Sequence, residues 1–554
     1  MTRIVSAFLV SFVLIGLVAC GGGSSTPPPI PTPTPTLITV TPGSASVPLG
    51  GSKAFTSSAA GVTWSLTGPG SIDQNGIYRA PTTFPGVGAN TATITASASN
   101  ATAKASAVVV YPNDHQSFQS GAIDLGTSGG NVNDTNSTGC CIGTLGSLVT
   151  RGGNLFILSN DHVLGRSAQA TAGEAINQPG PLACFGSNKL VANFTQAGAL
   201  KPTAGTDPAN CSGSTAPLCG KSPSNTDSAI AAVVVGQVDT AGTILDLGAA
   251  GPTSIAAAPP SATPFVGTLA PGQNVAKSGR TSALTCSTVQ AVGGSFRVAY
   301  DSSCGGAVAF DATFTNQIIV NGANFIEAGD SGSLLITADK SQALGLLFAS
   351  GTSGAIANPM TDVFTALTNA SGTPALVGGP DHSVSCVPTE SVQSTQVGIS
   401  TASTITPQQQ KAAASARDRH AQVLLADPAI RSVKVGASAD SPGEGAVVIE
   451  VNGTPKAPIP VTLDGVRTRV IYSHATPRLT RAQLDAALAI KQAHSDAVMS
   501  APGIQGIAVG RSDDDPAEPA ILIYTITGVP PPPIAQVIDG IRTKIMDGTQ
   551  FVAR

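Results

Sequence analysis

The sequence Gly329-Asp330-Ser331-Gly332-Ser333 places a serine in a short run of glycine and small polar residues. Glycines let the backbone turn sharply, so that the serine hydroxyl projects and nearby N–H groups converge on one point. An acyl-transfer nucleophile needs this arrangement. Ser331 is therefore the candidate nucleophile, and the N–H groups of Gly329 and Ser331 are the candidate oxyanion donors.

A general base and an acid lie upstream of this serine. His162 is the only histidine between residues 116 and 381, and it follows an apolar stretch that can form a strand. Asp227 lies in the stretch 225–231, which opens directly into the apolar run at 231–235. The chain order histidine, aspartate, serine is one of the few in which a catalytic triad is built. We expect His162 to take the serine proton, and Asp227 to fix the imidazole tautomer and stabilise the cation.

Five short motifs resemble those of one enzyme family, and they are Ser159–Val163, Asp227–Ala231, Val275–Thr281, Gly329–Ser333 and Ala343–Ala349. Residues from about 118 to 373 thereby resemble a trypsin-like serine protease of the chymotrypsin fold, as found in bacterial secreted enzymes. The resemblance implies a double β-barrel and a serine endopeptidase that acts on protein or peptide substrates through an acyl-enzyme. It implies no cofactor and no metal.

The resemblance also implies a substrate pocket. Phe325 would lie near its base, which argues against a preference for Lys or Arg, and Ala349, Ser350 and Gly351 would line the cleft. In the family, the aspartate at the position of Asp330 can pair with a freshly cleaved amino terminus. We therefore expect either cleavage near residues 121–125 or a pocket that is ordered in another way.

The first twenty residues are predicted to be an export signal. Arg3 precedes the apolar run 4–18, which ends in Leu17-Val18-Ala19-Cys20 and resembles a bacterial lipobox. The resemblance implies a lipidated Cys20, a membrane anchor and, because Gly21 follows, the outer membrane or cell surface; an ordinary signal peptide is the alternative. Residues 21–36 are rich in Pro, Ser, Thr and Gly and are predicted to form an extended tether.

Residues 37–111 are predicted to form a small β-sandwich. Short alternating runs are separated by turn residues, and Trp64 has the context of a core residue. The stretch 70–81 resembles bacterial Ig-like domains of surface proteins. A spacer is the favoured role because no aromatic cluster marks a binding face. Carbohydrate or cell-wall binding is the alternative.

The cysteine content agrees with export into an oxidising compartment. Nine cysteines minus Cys20 leave an even set of eight, which are Cys140, Cys141, Cys184, Cys211, Cys219, Cys286, Cys304 and Cys386. Local spacing favours Cys211 with Cys219 and Cys286 with Cys304. Cys386 would then pair with Cys140, Cys141 or Cys184, which extends the protease-like domain to 118–390.

A linker is predicted at 391–410, followed by a duplicated α+β domain at 411–554. The segment 463–470 recurs about seventy-five residues later at 538–545, and each copy reads as a helix followed by strands. His420 and His494 occupy the same position in the two copies. Solvated or capping roles are favoured for them over metal binding.

Composition limits the remaining possibilities for the 554-residue chain. Only 11% of residues are charged and the net charge is -4, which argues against nucleic acid as a partner. The 62 glycines and 41 prolines between short Val-, Ile- and Thr-rich runs favour a multidomain, mainly β protein. The alternative to a peptidase is a catalytically inactive adhesion or scaffolding protein. Both hypotheses predict the same architecture, so the architecture does not distinguish them.

Overall fold

The computed structural model describes residues 38–48, 52–81, 91–98, 101–110, 114–134, 142–180, 188–203, 225–250, 255–301, 308–322, 325–386, 405–474 and 478–553. Strands predominate among them, which confirms the predicted multidomain, mainly β class. Within these ranges, no helix combines the length and apolar character needed to cross a bilayer. Cys20 and the predicted tether lie outside the described residues.

The N-terminal unit consists of short strands around one core. Its strands are β1 (Val40–Thr41), β2 (Ser44–Pro48), β3 (Ser52–Ala54), β4 (Thr56–Ser57), β5 (Thr63–Thr67), β6 (Ser71–Ile72), β7 (Ile77–Arg79), β8 (Thr91–Ala98) and β9 (Ala101–Val110). They form sheets in the orders β2-β9-β8-β5, β3-β7-β6 and β1-β4. Val47, Phe55, Tyr78 and Ile94 are buried between them, and the half-buried Trp64 packs against this core.

The next unit supplies the candidate base and acid. After a 3₁₀ turn (Asp114–Gln116) come β10 (Thr127–Asn131), β11 (Gly143–Leu145), β12 (Ser147–Arg151), β13 (Asn154–Ser159), α1 (Asp161–Leu164), β14 (Ala175–Gln178), β15 (Lys189–Ala197) and β16 (Ala229–Val233). With the later β23 they form one sheet in the order β11-β10-β14-β15-β16-β13-β12-β23. β13 and β16 are antiparallel, and Ser159 at the end of β13 pairs with Ala229 at the start of β16. The segment after β13 and the segment before β16 therefore meet at the same end of the two paired strands.

A second group of strands carries the serine. It comprises β17 (Asn274–Gly279), β18 (Ala283–Asp301), β19 (Val308–Val320), β20 (Leu334–Thr337), β21 (Ala343–Gly351), β22 (Gly354–Pro359), α2 (Met360–Ala366) and β23 (Ala375–Leu376). All strands except β23 belong to a sheet that begins β17-β20-β21-β22-β19-β18. Ser331 lies in the turn that leads into β20.

The C-terminal region contains the two predicted copies. The first comprises α3 (Pro407–Leu425), β24 (Ile430–Ala437), β25 (Gly445–Val451), β26 (Thr462–Leu463) and β27 (Val466–Tyr472); the second comprises α4 (Arg481–Met499), β28 (Ile504–Arg511), β29 (Pro519–Ile526), β30 (Val537–Ile538) and β31 (Ile541–Gly548), followed by β32 (Val552–Ala553). The first copy forms its own sheet, whereas β28 pairs with β18. One sheet therefore runs across the predicted border at 391–410, because the long strand β18 has an outer edge that needs a partner.

Buried arginines join the two copies reciprocally. Arg467 donates to the carbonyl of Thr543 at 2.9 Å, and Arg542 donates to the carbonyl of Thr468 at 2.8 Å. Both arginines are almost completely buried. Because the same contact is made in both directions, the copies are related by an approximate two-fold axis.

The paired histidines of the repeat each bond to an aspartate. His420 Nε2 lies 3.0 Å from an Asp464 carboxyl oxygen, and His494 Nε2 lies 2.7 Å from Asp539. Each aspartate comes from the short hairpin of the same copy. Among the described residues, no cluster of His, Cys, Asp and Glu is suited to a metal ion.

The disulfide connectivity predicted for Cys286 and Cys386 is wrong. These two cysteines pair with each other, with a Cα–Cα distance of 5.9 Å. Spacing along the chain favoured Cys304, but the segment after residue 376 returns to β18 and brings Cys386 against Cys286. The other candidates, Cys140, Cys141, Cys184, Cys211, Cys219 and Cys304, lie outside the described residues.

We expect mass mapping of an unreduced digest to recover a peptide that links Cys286 with Cys386. Because the bond closes a loop with a sequence separation of 100, the double variant Cys286→Ala/Cys386→Ala should lose about 2–4 kcal/mol of unfolding free energy. Recovery of Cys286 linked to Cys304 would contradict this connectivity.

Candidate active site

His162 and Asp227 are in direct contact at the end of the sheet where β13 finishes and β16 begins. His162 Nδ1 lies 2.6 Å from Asp227 Oδ2, and the backbone N–H of His162 donates to Asp227 Oδ1 at 3.2 Å. The aspartate side chain is fully buried, and the histidine side chain is 11% exposed. One carboxyl group therefore fixes both the ring and the backbone of His162.

Three further polar side chains fix Asp227. The Tyr300 hydroxyl donates to Asp227 Oδ2 at 2.8 Å. The amides of Asn160 and Asn358 donate to the backbone carbonyl of Asp227 at 2.7 and 3.2 Å. Asn160 lies in the histidine motif, but no sequence pattern around Tyr300 or Asn358 indicates a site role. All three come from segments distant from Asp227 in sequence.

The surroundings of His162 raise its pKa above the ordinary value of 6.5. Burial alone lowers it, but the charge of Asp227 and the hydrogen bond to it outweigh that effect. His162 Nε2 has no hydrogen-bond partner among the described residues. The ring thus has one nitrogen engaged by the carboxyl group and the other available as a proton acceptor.

Ser331 lies in a turn whose backbone conformation requires glycine at positions 329 and 332. Gly329 and Gly332 have φ values of +98° and +96°. A Cβ on Gly332 would collide with Ser159 and Thr144. The carbonyl of Ser331 accepts a hydrogen bond from the Thr144 N–H at 2.8 Å, and Ser159 donates to the Thr144 carbonyl at 2.6 Å. Thr144 therefore connects the serine turn to the end of β13, three residues before His162.

The Ser331 hydroxyl donates to the carbonyl of Phe348 in β21 at 3.2 Å. Backbone bonds from Asp330 to Glu327, at 2.9 Å, and from Gly332 to Leu347, at 2.9 Å, hold the turn on either side of the serine. In this resting arrangement the hydroxyl is bonded to the adjacent strand and not to His162. Catalytic hydrogen bonds are often formed only when substrate is bound.

A lysine takes the place of the amino terminus that the sequence analysis considered for Asp330. Lys277 Nζ lies 3.1 Å from Asp330 Oδ2, and both side chains are fully buried. Asp330 also accepts hydrogen bonds from the backbone N–H groups of Thr281 and Ser282, at 2.7 and 3.1 Å. Burial raises the pKa of Asp330, but Lys277 and the hydrogen bonds from Ser282 and Glu327 lower it below the ordinary value. The turn is thus ordered without a cleaved chain end.

The predicted pocket residues separate into two groups. Phe325 is only 4% exposed and packs with Val275 and Leu335 in the core of the second strand group. Ala349 is buried, and Ser350 and Gly351 are partly exposed at the edge of β21. That edge is paired with β32, which the sequence did not indicate.

A second buried His–Asp pair lies outside this site. His115 Nε2 is 2.8 Å from Asp246, and its Nδ1 is 2.6 Å from the carbonyl of Gly126. Both ring nitrogens of His115 are therefore engaged by oxygen atoms of the protein. His115 therefore joins segments of the fold and is not a second base.

Asp161, next to His162, is a fully buried carboxyl group. Burial, together with the charge of Asp227, raises its pKa to about 8. Asp161 therefore carries a proton at neutral pH and adds little charge to the site.

Solved structures that are similar to this chain include the following two. Thermobifida fusca protease A has 17% identity and a TM-score of 0.27, with 47% of this chain and 100% of that chain covered. A Cellulomonas bogoriensis chymotrypsin has 18% identity and a TM-score of 0.24, with 43% of this chain and 94% of that chain covered. No protein-family model and no curated protein matches the chain.

Removal of the buried cation should destabilise the protein. We expect Lys277→Met to lower the unfolding free energy by about 3–5 kcal/mol, because it leaves Asp330 buried without its counter-ion. The double variant Lys277→Met/Asp330→Asn should recover much of the loss. Chemical denaturation measures both, with the exposed Lys340→Met as the matched control. A loss as small as that of the control would contradict the assigned ion pair.

Asp161 should produce a pH-dependent loss of stability. Its folded pKa of about 8 is above its ordinary 3.8, so between these values the folded state holds a proton that the unfolded chain releases. The stability from this group is present below pH 3.8 and is lost as the pH rises to about 8. The variant Asp161→Asn removes this dependence.

The stability advantage of Asp161→Asn over wild type should therefore grow between pH 5 and pH 8, by at most about 1.4 kcal/mol per pH unit. Urea unfolding at several pH values measures it, with the exposed Asp339→Asn as control. A pH-independent difference would show that Asp161 is ionised in the folded protein.

Proposed function

We propose that the chain is a serine endopeptidase that hydrolyses peptide bonds through Ser331, His162 and Asp227. The single observation that carries the proposal is the buried contact of 2.6 Å between His162 Nδ1 and Asp227 Oδ2. It is supported by the position of Ser331, whose carbonyl is tied to Thr144 beside the same strand end. His162 Nε2, which has no hydrogen-bond partner within the described ranges, is the atom through which a general base accepts the proton.

In the first half of the reaction, Ser331 Oγ attacks the substrate carbonyl carbon while His162 Nε2 accepts the hydroxyl proton. The charge of Asp227 stabilises the imidazolium that forms, and the N–H groups of Gly329 and Ser331 receive the oxyanion. Each such donor typically contributes about 3–4 kcal/mol to transition-state stabilisation. His162 then gives its proton to the leaving amine, the C–N bond breaks, and Ser331 retains the acyl group.

In the second half, a water molecule attacks the acyl-enzyme while His162 accepts one of its protons. The ester bond to Ser331 breaks, and His162 returns the proton to Ser331 Oγ. Tyr300 acts as a positioning residue, because its hydroxyl bond to Asp227 helps to hold the carboxyl group towards the ring. The steps use these side chains, the two backbone N–H groups and water.

We propose a cell-envelope location for this peptidase. The proposal rests on the lipobox-like sequence ending in Cys20 and on the polar, proline-rich segment that follows it. Lipidated Cys20 would hold the chain at the outer membrane or cell surface, and the N-terminal β unit would act as a spacer. Metabolic labelling with a fatty-acid analogue, compared between wild type and Cys20→Ala, tests the anchor; equal labelling would contradict it.

Ser331 should react with a small fluorophosphonate, and His162→Ala should abolish the reaction. We expect Ser331→Ala and His162→Ala each to lower peptidase kcat/KM by roughly 10⁴-fold or more, with little further loss in the double variant, because the two side chains act as one unit. Equal activity in wild type and Ser331→Ala would favour the inactive scaffold.

The same activity should fall as the pH decreases, because only neutral His162 accepts a proton. Since the pKa of His162 is raised, the midpoint of this fall in kcat/KM should lie above 6.5. A midpoint below 6.5 would contradict the role of Asp227 beside the ring.

A further inference from the structure

The C-terminal strand β32 lies between two strands that reach the candidate active site. On one side Val552 and Ala553 pair antiparallel with Ser350 and Ala349 of β21. On the other side the same two residues pair in parallel with β18. The edge of β21 is therefore already extended by a strand from the same chain.

Both flanking strands touch catalytic candidates beside Ala553. Ala349, the partner of Ala553 in β21, follows Phe348, whose carbonyl accepts the Ser331 hydroxyl bond of 3.2 Å. Tyr300, its partner in β18, donates to Asp227 at 2.8 Å. Ala553 is thus paired with Tyr300, which contacts the acid, and with the direct neighbour of Phe348, which contacts the nucleophile.

Specific contacts hold the segment before β32 in place. Phe551 is fully buried, with its ring centroid 5.2 Å from that of Phe296. Its N–H donates to Gln505 at 2.9 Å, and its carbonyl accepts from Ala299 at 2.9 Å. The Thr549 N–H donates to Thr352 at 2.9 Å. The segment is therefore docked by side chains as well as by strand pairing.

Extended peptides commonly bind to proteins by adding a strand to an exposed sheet edge, where main-chain hydrogen bonds give affinity. An edge has one set of N–H and C=O groups, so one strand excludes another. The antiparallel partner of Ala349–Gly351 has its C-terminal end nearest Ser331. In a peptide bound in this orientation, the carbonyl group at the C-terminal end of the paired residues approaches the Ser331 hydroxyl.

We propose that Thr549–Ala553 occupies the peptide-binding edge of β21 as an internal substrate mimic and blocks it until it is displaced. This inference rests on the proposed peptidase function and adds how access to its peptide-binding edge is controlled. The substrate is an extended peptide that lies antiparallel to Ala349–Gly351 in place of β32. β32 does not block a small reagent that reacts with Ser331 without pairing with β21. It does block a peptide that must pair with the edge of β21.

Two probes of Ser331 test the proposal in the full-length protein. One is a small alkyl fluorophosphonate without a peptide part, and the other is a tetrapeptidyl phosphonate that must pair with the edge. Phe551→Ala removes the buried anchor, and Val552→Pro removes a backbone N–H and prevents regular strand pairing. Val470→Ala, a buried truncation in the first repeat copy, is the matched control for general loosening.

We expect the small probe to label all four proteins at similar rates. The peptidyl probe should label Phe551→Ala and Val552→Pro at least about tenfold faster than wild type or Val470→Ala, because apparent affinity scales with the fraction of molecules in which the edge is open. A synthetic peptide with the sequence of residues 547–553 should slow the peptidyl probe on both variants, and a scrambled peptide should not. Near-UV circular dichroism verifies that each variant is folded.

Other outcomes overturn the inference in distinguishable ways. If the peptidyl probe reacts equally fast with wild type and both released variants, the edge is not controlled by β32, and the peptidase function stands. The same holds if both probes accelerate together, because the variants would then act on Ser331 itself. If the small probe labels Ser331 in none of the proteins, the proposed function fails, and this inference fails with it.

Discussion

The buried carboxyl group of Asp227 is the constraint on which the candidate site depends. It accepts hydrogen bonds from the ring and backbone of His162 and from Tyr300. A carboxyl group out of water is costly unless such partners surround it. Asn160 and Asn358 hold its backbone, so that segments from both strand groups must be in register before the pair can form.

The motifs around His162, Asp227 and Ser331 could be read from the sequence because each combines a reactive side chain with a local backbone signal. Antiparallel pairing of β13 with β16 converts two of these signals into one contact. The partners of these residues could not be read in the same way. Tyr300 lies on a long strand with no local signal, and its role follows only from how β18 and β16 pack together.

The sequence also left the partner of Asp330 open, and long-range packing supplies Lys277. The Cys286–Cys386 bond and the position of β32 were missed for the same physical reason. Each joins segments far apart in the chain, such as the 100-residue separation of the two cysteines. Sequence spacing carries information on neighbours in the chain, whereas these contacts depend on which sheet edge remains available. The duplicated C-terminal region was predicted as a repeat, but its sharing of a sheet with β18 was not.

The state of His162 tests the account most directly. Nitrogen-15 NMR of the histidine side chains, titrated in wild type and in Asp227→Asn, reports which ring nitrogen carries the proton and at what pH the second proton binds. The account predicts that neutral His162 is protonated at Nδ1, with a pKa above 6.5 that falls in Asp227→Asn. A neutral ring protonated at Nε2, or a pKa unaffected by the loss of the Asp227 charge, would contradict it.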